Sequence, residues 1–332
     1  MLVLITGCGG FVGPHLVRAL ATRGHRAWGA GLEPAPPASL TGDSAVQGWT
    51  RWDVRTDAAA IATLFQSLGT GAVGAIVHLA GQSSAARSFE DPVGTTDVNL
   101  GGTIRLLEAA RSAKFEGPIL VVGSSEAYGR IPAGTPANED LPLAPVSPYG
   151  VSKAAADQAA RAWASAFGLR TLVARSFSHT GPGQSPVFAL PSWARQIAGF
   201  EAEAARGEPG PFRLKVGNLA PVRDYTDVRD VAEAYGLLLE RGEAGRAYNV
   251  ASGSGVSLRV IAETLARHAR VPVEIVEEAA RLRPADLLYL VGDSSRLREA
   301  TGWAPAHGLD DTLTALLEDA RSRAGSLVEG GS

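Results

Sequence analysis

The chain of 332 residues is 45% hydrophobic and 20% charged, an ordinary globular balance for two domains or one large α/β unit. Its net charge of −3 speaks against nucleic acid and anionic membranes as partners. Cys8 is alone and cannot form an internal disulfide, the six histidines lack metal-ligand spacing, and no apolar run nears a membrane span of about 20 residues. We therefore expect a cytoplasmic protein with no signal peptide, no membrane span and no metal.

Short apolar runs alternate with helical patterns over the first ~180 residues, the rhythm of a parallel sheet with right-handed crossovers. Leu2–Thr6 reads as a strand, Phe11–Arg23 as a helix stopped by Gly24, and Arg26–Ala30 as a second strand. Trp49–Val54 is a candidate third strand and Ala75–Leu79 a buried fourth. Val93–Ser112 has Leu, Ile and Ala at helical spacing, and Ile119–Gly123 is a further strand. A helix opens near Pro148 with Ser147 as its N-cap, and Arg170–Ser176 is the next strand.

After His179 the pattern changes. Ser192–Ala204 reads as a helix and Arg213–Val216 as a strand. Val228–Glu240 (helix) and Ala247–Val250 (strand) are assigned back to the first unit. Leu258–Ala269, Val273–Val276 and Leu309–Ala320 complete a smaller α/β cap. The expected division is 1–178 plus about 225–250 for the larger domain, about 179–224 and 251–325 for the smaller, and a flexible tail over 326–332.

Three segments carry chemistry. In Thr6-Gly7-Cys8-Gly9-Gly10-Phe11-Val12-Gly13 a strand meets a helix across glycines three apart. Gly7 permits a tight turn, Gly10 lets backbone approach a pyrophosphate, and Gly13 lets the helix pack on the strand. That context predicts a dinucleotide site in a Rossmann-type doubly wound sheet. The acidic residue expected after the second strand falls near Gly31, which has no side chain, and Glu33, two residues on, is the alternative acid for the ribose. The missing carboxylate leans toward NADP(H), with NAD(H) open. Asp53 is either an adenine contact or a loop carboxylate. Leu79, Ala80 and Gly81 are small enough for backbone to pass a cofactor, and Asn99 is either a helix-packing amide or a partner of the Lys153 region. His78 is given no role.

Tyr149 and Lys153 stand four apart, on one face of a helix. A phenol titrates near ~10 and a nearby cation lowers that value, so we expect a proton donor. Ser124 lies just past the fifth strand, where open α/β sheets place ligands, and its hydroxyl can bind a carbonyl oxygen. Glu126 is either a base or a polar contact to sugar hydroxyls.

Together Gly7-x-x-Gly10-x-x-Gly13, Ser124 and Tyr149-x-x-x-Lys153 resemble the extended short-chain dehydrogenase/reductases that act on nucleotide sugars. Ser124-Ser125-Glu126-x-Tyr128-Gly129, His179-Thr180-Gly181-Pro182-Gly183-Gln184, Val216-Gly217-Asn218-Leu219, Arg223-Asp224-Tyr225-Thr226-Asp227 and Arg283-Pro284-Ala285-Asp286 are similar to the GDP-mannose branch. The resemblance implies NAD(P)H-dependent reduction of the C4 ketone of a GDP-4-keto-6-deoxyhexose. It implies Tyr149 as acid, Lys153 on the nicotinamide ribose, Ser124 on the sugar O4, and Phe11, Val12 and Val54 at the cofactor. It places Ser84, Arg87, Ser125, Glu126, Ser178, Val216, Asn218, Arg223, Arg283 and Asp286 at the substrate, with Arg223 and Arg283 on the GDP diphosphate. The branch's usual Arg-Pro-Phe-Asn is here Arg175-Ser176-Phe177-Ser178, which puts the contact at Ser178 in question. The family also implies a homodimer through a four-helix bundle, from the helices Val93–Ser112 and Tyr149–Phe167. A 4,6-dehydratase or 4-epimerase on the same scaffold is the first alternative, and a non-catalytic dinucleotide-sensing regulator the second.

Overall fold

Strands covered on both faces read as continuous apolar runs, and Val3, Leu4 and Ile5 are all fully buried for that reason. The computed structural model describes residues 1–56, 58–68, 71–208, 210–281 and 287–329. The first half runs β1 (Leu2–Thr6), α1 (Gly13–Thr22), β2 (Arg26–Gly31), β3 (Val46–Arg51), α2 (Ala58–Leu68) and β4 (Val73–His78). Then follow α3 (Ala85–Glu90), α4 (Pro92–Thr96), α5 (Gly102–Ser112), β5 (Ile119–Val122), α6 (Pro148–Phe167) and β6 (Thr171–Ser176). The second half adds β7 (Ser178–Thr180), α7 (Ala189–Ala205), β8 (Phe212–Val216), β9 (Val222–Asp227), α8 (Val228–Arg241) and β10 (Ala247–Val250). It ends with β11 (Gly255–Ser257), α9 (Leu258–His268), β12 (Val273–Glu277), β13 (Tyr289–Leu290), α10 (Ser295–Thr301) and α11 (Leu309–Glu329).

Seven parallel strands form the main sheet in the order β10-β6-β5-β4-β1-β2-β3. The order reverses beside β1, next to β4, and a doubly wound sheet opens its ligand crevice at such a point. One sheet face is covered by α1 and α8, with Leu16, Leu20, Tyr235 and Leu238 in its core. The other is covered by α2 and α5, through Ile61, Phe65, Leu106 and Leu107. A separate core joins Trp193, Ile197, Leu214, Ile261, Leu265, Leu313 and Leu317 among α7, β8, α9 and α11. Beside it, β9 pairs with β7, β11 and β13, and β8 pairs with β12.

The segment expected as one helix over Val93–Ser112 contains a wide turn, Asp97–Gly101, between α4 and α5. A π-turn of this kind often marks a functional site. The third strand is Val46–Arg51 rather than Trp49–Val54, so Trp52 and Val54 are buried from a loop. Helix α11 continues to Glu329 where a frayed tail was expected, and residues 330–332 lie outside the described residues.

Arg175 in β6 is the largest fully buried side chain. Its Nε donates to Asp157 Oδ2 at 2.7 Å, and another guanidinium nitrogen donates to the Tyr128 hydroxyl and the Glu139 carbonyl, each at 3.0 Å. Tyr128 in turn donates to Asn249 Oδ1 at 2.7 Å, so β6, α6 and β10 share one polar network. Removing one partner of a buried pair strands the other charge. Asp157→Ala should therefore lower stability by about 3–5 kcal/mol in urea unfolding. Glu274→Ala, which breaks the exposed 3.2 Å pair with Arg213, should stay within about 1 kcal/mol.

His78 at the end of β4 is also buried, its Nδ1 2.7 Å from Thr6 Oγ1 and its Nε2 without a partner among the described residues. Burial, aided by the Lys153 charge, pulls its pKa down to about 3. The unfolded chain takes up this proton near ~6.5 and the folded chain does not, so this contribution to stability is complete above that pH and declines as pH falls toward 3. Unfolding midpoints over pH 3–7 should show that decline, and His78→Gln should weaken its slope.

Candidate active site

Gly7 turns at φ +67°, and a β-carbon there would lie 2.6 Å from the Ala80 nitrogen, so this bend needs glycine. A β-carbon on Gly13 would stand 1.8 Å from the Cys8 carbonyl oxygen, which is how closely α1 packs on the end of β1. The N-cap of α1 is Val12, whose side chain makes no cap hydrogen bond, leaving the first-turn amides to another acceptor. The chain past β1 thus presents bare backbone and a helix start to a cleft of about 1330 Å³.

The cleft runs along the carboxyl ends of the main sheet. Gly31, Asp53, the Leu79–Gly81 segment, the Gly123–Glu126 segment and Ser176 line it from the ends of β2, β3, β4, β5 and β6. Its far wall comes from the second half of the chain, through Phe188, Trp193, Asn218, Arg223 and Leu258.

The first turn of α6 is fixed against the turn after β5. The Ser147 hydroxyl caps α6 by accepting from Gly150 N at 3.0 Å, and it donates to Glu126 Oε2 at 3.1 Å. The Ser124 side chain acts on Tyr149 and favours its charged form, and Ser124 Oγ accepts from Glu126 N at 3.2 Å. Lys153 Nζ, one turn on, donates to the Val122 carbonyl at 2.8 Å. Asn99, in the wide turn, donates to Ser152 Oγ at 2.9 Å and to the Gln82 carbonyl at 3.0 Å, and accepts from Gln82 N at 2.8 Å. It pins the loop after β4 to the residue beside Lys153.

The electrostatics differ from the sequence expectation of an acidified phenol. Burial pushes the Tyr149 pKa above its ordinary value, and the Glu126 charge adds to this, while the Ser124 side chain opposes it. Burial brings the Lys153 ammonium down to about 8. Burial outweighs the other influences on the phenol, and Lys153 is not among the groups that shift it.

Gly7, Gly10, Phe11, Val12, Asp53, Val54, Leu79, Ala80, Gly81, Tyr149 and Lys153 all line the cleft. Gly13 and Asn99 support it from behind. Of the residues expected at the substrate, Ser84, Arg87, Ser125, Glu126, Ser178, Asn218 and Arg223 line it. Val216 does not: it ends the inward-facing set Phe212, Leu214 and Val216 of β8 and lies in the core. Arg283 and Asp286 lie outside the described residues. Sequence reasoning missed Tyr235, whose helical register in α8 brings it to the cleft with its hydroxyl 2.6 Å from Ser176 Oγ. It also missed His179, which stacks on Phe11 with ring centroids 6.0 Å apart.

A glycine cradle with an uncapped helix start at one end and a tyrosine–lysine pair at the other fits a nicotinamide dinucleotide. Among the described residues no group of three or more His, Cys, Asp or Glu is placed to hold a metal, and no helix is long and apolar enough to cross a membrane.

Comparison with known proteins agrees with this geometry. The family profile described as GDP-mannose 4,6 dehydratase matches residues 4–316. The chain is 38% identical to GDP-6-deoxy-D-mannose reductase of Pseudomonas aeruginosa, over 97% of each chain. It is 29% identical to UDP-glucose 4-epimerase of Azospirillum brasilense, over 99% of this chain and 95% of that one. The solved structure of RMD from Pseudomonas aeruginosa complexed with NADPH superposes with a TM-score of 0.79 at 36% identity, covering 97% of this chain and 99% of that one. The Thermus thermophilus UDP-glucose 4-epimerase complexed with NAD gives 0.83 at 30% identity, with the same coverage. The chain belongs to the GDP-mannose 4,6-dehydratase family of extended short-chain dehydrogenase/reductases, NAD(P)-dependent enzymes of nucleotide-sugar chemistry.

Proposed function

We propose that the protein reduces the C4 ketone of a GDP-linked 4-keto-6-deoxyhexose, taking GDP-4-dehydro-6-deoxy-D-mannose to GDP-D-rhamnose in the cytoplasm. The observation that carries this reading is the Ser124–Tyr149–Lys153 group in the wall of a cleft that continues to Asn218 and Arg223. The 38% identity to a GDP-6-deoxy-D-mannose reductase supports the substrate class.

Residues 1–178 and about 225–250 form the dinucleotide half in this reading, and 179–224 with 251–325 the sugar-nucleotide half. Gly7, Gly10, Phe11 and Val12 hold the pyrophosphate, Asp53 and Val54 face the adenine, and Leu79, Ala80 and Gly81 pass along the dinucleotide. The bound reduced dinucleotide supplies the hydride. Ser124 holds the sugar O4, and Tyr149 donates its proton to that oxygen as negative charge builds on it. A phenol above its ordinary pKa keeps this proton throughout the neutral range, so the acid is loaded before reaction. Lys153, cationic below about 8, binds the ribose and steadies the tyrosinate left behind. Arg223 meets the diphosphate as a guanidinium partner, together with Arg283, which lies outside the described residues, and Arg87 lines the substrate side of the cleft.

Glu126 supports a second reading, because its carboxylate acts on Tyr149 and suits removal of a C5 proton in a 4,6-dehydratase. One assay separates the two. Incubation with GDP-4-keto-6-deoxymannose and NADH or NADPH should consume one dinucleotide per sugar. Turnover of GDP-mannose with no net change in nicotinamide absorbance would instead establish the dehydratase. Tyr149→Phe should lower the reductive rate by about 10²–10⁴-fold while dinucleotide binding persists. A near-normal rate in that variant rejects the acid assignment.

We also propose a homodimer formed by α4, α5 and α6. Ala154, Ala156 and Ala160 are buried within the chain, whereas Val93 and Val151 stand exposed at 79% and 51%. Light scattering should give twice the 34.4 kDa chain mass, and a monomer mass rejects the interface.

A further inference from the structure

We propose that Glu33 makes this cleft bind NADH more tightly than NADPH, an inference that rests on reading the cleft as a dinucleotide site. In a doubly wound sheet the adenosine ribose meets the end of the second strand. Here that end is Gly31, which offers no side chain. The loop beyond it folds back. The Trp49 indole N–H donates to the Glu33 carbonyl at 2.8 Å, and the Trp49 ring lies within 3.6 Å of the space above Gly9, Gly29 and Gly31. One carboxylate oxygen of Glu33 sits 3.0 Å from where a β-carbon on Gly31 would stand, and 3.4 Å from the same point on Gly9. The side chain of Glu33 thus fills the gap between the end of β2 and the glycine loop, and it lines the cleft.

A carboxylate there accepts hydrogen bonds from ribose hydroxyls and opposes a phosphate on the 2′ oxygen. The surrounding charges do not offset it. Among the described residues lining that end of the cleft, Asp53 is a second carboxylate and Arg55 is the cation. Arg55 is held on Asp53 by two hydrogen bonds, Nε to Oδ1 at 3.0 Å and the terminal nitrogen to Oδ2 at 2.7 Å. To meet a 2′-phosphate it would have to leave that pair. A phosphate monoester adds about −1.5 to −2 charge beside Glu33. The Pseudomonas aeruginosa structure complexed with NADPH speaks for the phosphorylated cofactor in that protein. The local charge in this chain points the other way.

Equilibrium titration of the full-length protein with NADH and with NADPH, followed by calorimetry, tests this without any sugar substrate. NADH should bind about tenfold or more tightly, and the ratio should shrink as salt rises. Glu33 is exposed, so Glu33→Gln should fold normally, and it should bring the two affinities within about threefold by strengthening NADPH. Equal affinities or tighter NADPH binding in the unaltered protein overturns the proposal. So does a preference for NADH that Glu33→Gln leaves unchanged, since another residue then sets it. Failure of both dinucleotides to bind overturns the dinucleotide reading of the cleft as well.

Discussion

The site depends on how the first turn of α6 docks against the turn after β5. Four contacts set it: Ser147 to Gly150 N, Ser147 to Glu126, Tyr149 to Ser124, and Lys153 to the Val122 carbonyl. The first starts the helix, and the other three join it to the turn after β5, from Ser147–Glu126, 21 residues apart in sequence, to Lys153–Val122, 31 apart. Pro148 at the first helical position costs no hydrogen bond, because that N–H has no partner inside the helix. The cap therefore starts α6 at a fixed residue, and the helical repeat then determines where the phenol and the ammonium point. A shift of one residue would turn both side chains by about 100° and empty the cleft wall of its chemistry.

Burial shapes the chemistry of that turn more than proximity does. Taken alone, a lysine one turn from a tyrosine predicts an acidified phenol. In the folded chain Tyr149 is only 8% exposed and Lys153 9%, so each pays for its charged form. The ammonium moves down and the phenol up, and the charged pair is disfavoured on both sides. A tyrosine in this state holds its proton firmly and releases it only to a strong base. A developing alkoxide is such a base, and a resting carbonyl is not.

Much of the fold was legible because parallel strands buried on both faces leave short apolar runs, as in β1, β4, β5 and β6, whereas the edge strand β3, Val-Gln-Gly-Trp-Thr-Arg, has none and was misplaced. Among the smaller strands β8 and β12 were legible, at Phe212–Val216 and Val273–Glu277, whereas β7, β9, β11 and β13 were not. β9 is Val222–Asp227, mostly polar, and it is held by backbone pairing to β7, β11 and β13. Asp224 inside it is fully buried and accepts from the backbone nitrogens of Ser252, Gly253 and Gly292, a pattern that only tertiary structure assembles. The glycine loop, Ser124, Tyr149 and Lys153 could be read because their spacing is local. Val216 was misplaced because the expectation ignored strand alternation, which turns it inward and leaves Asn218, beyond the strand, for the cleft. Glu33 was named from sequence as the alternative acid after the second strand, but its packing over Gly31 was not legible, since it depends on Trp49 from the neighbouring strand.

In the proposed reading, Glu126 is the group on which the direction of chemistry turns. Donation from Tyr149 leaves a tyrosinate in a buried site, opposed by any negative charge close by. Glu126 is that charge, and one of its oxygens accepts from the Ser147 hydroxyl. The same carboxylate that raises the phenol's hold on its proton also increases the cost of losing it. Reduction asks Tyr149 to lose the proton once per turnover, so Lys153 must counter Glu126 at that moment. An elimination asks Glu126 to accept a proton instead, which removes the opposing charge. In that reading the tyrosine and lysine serve both reactions, and what Glu126 does beside them separates reduction from elimination on this turn.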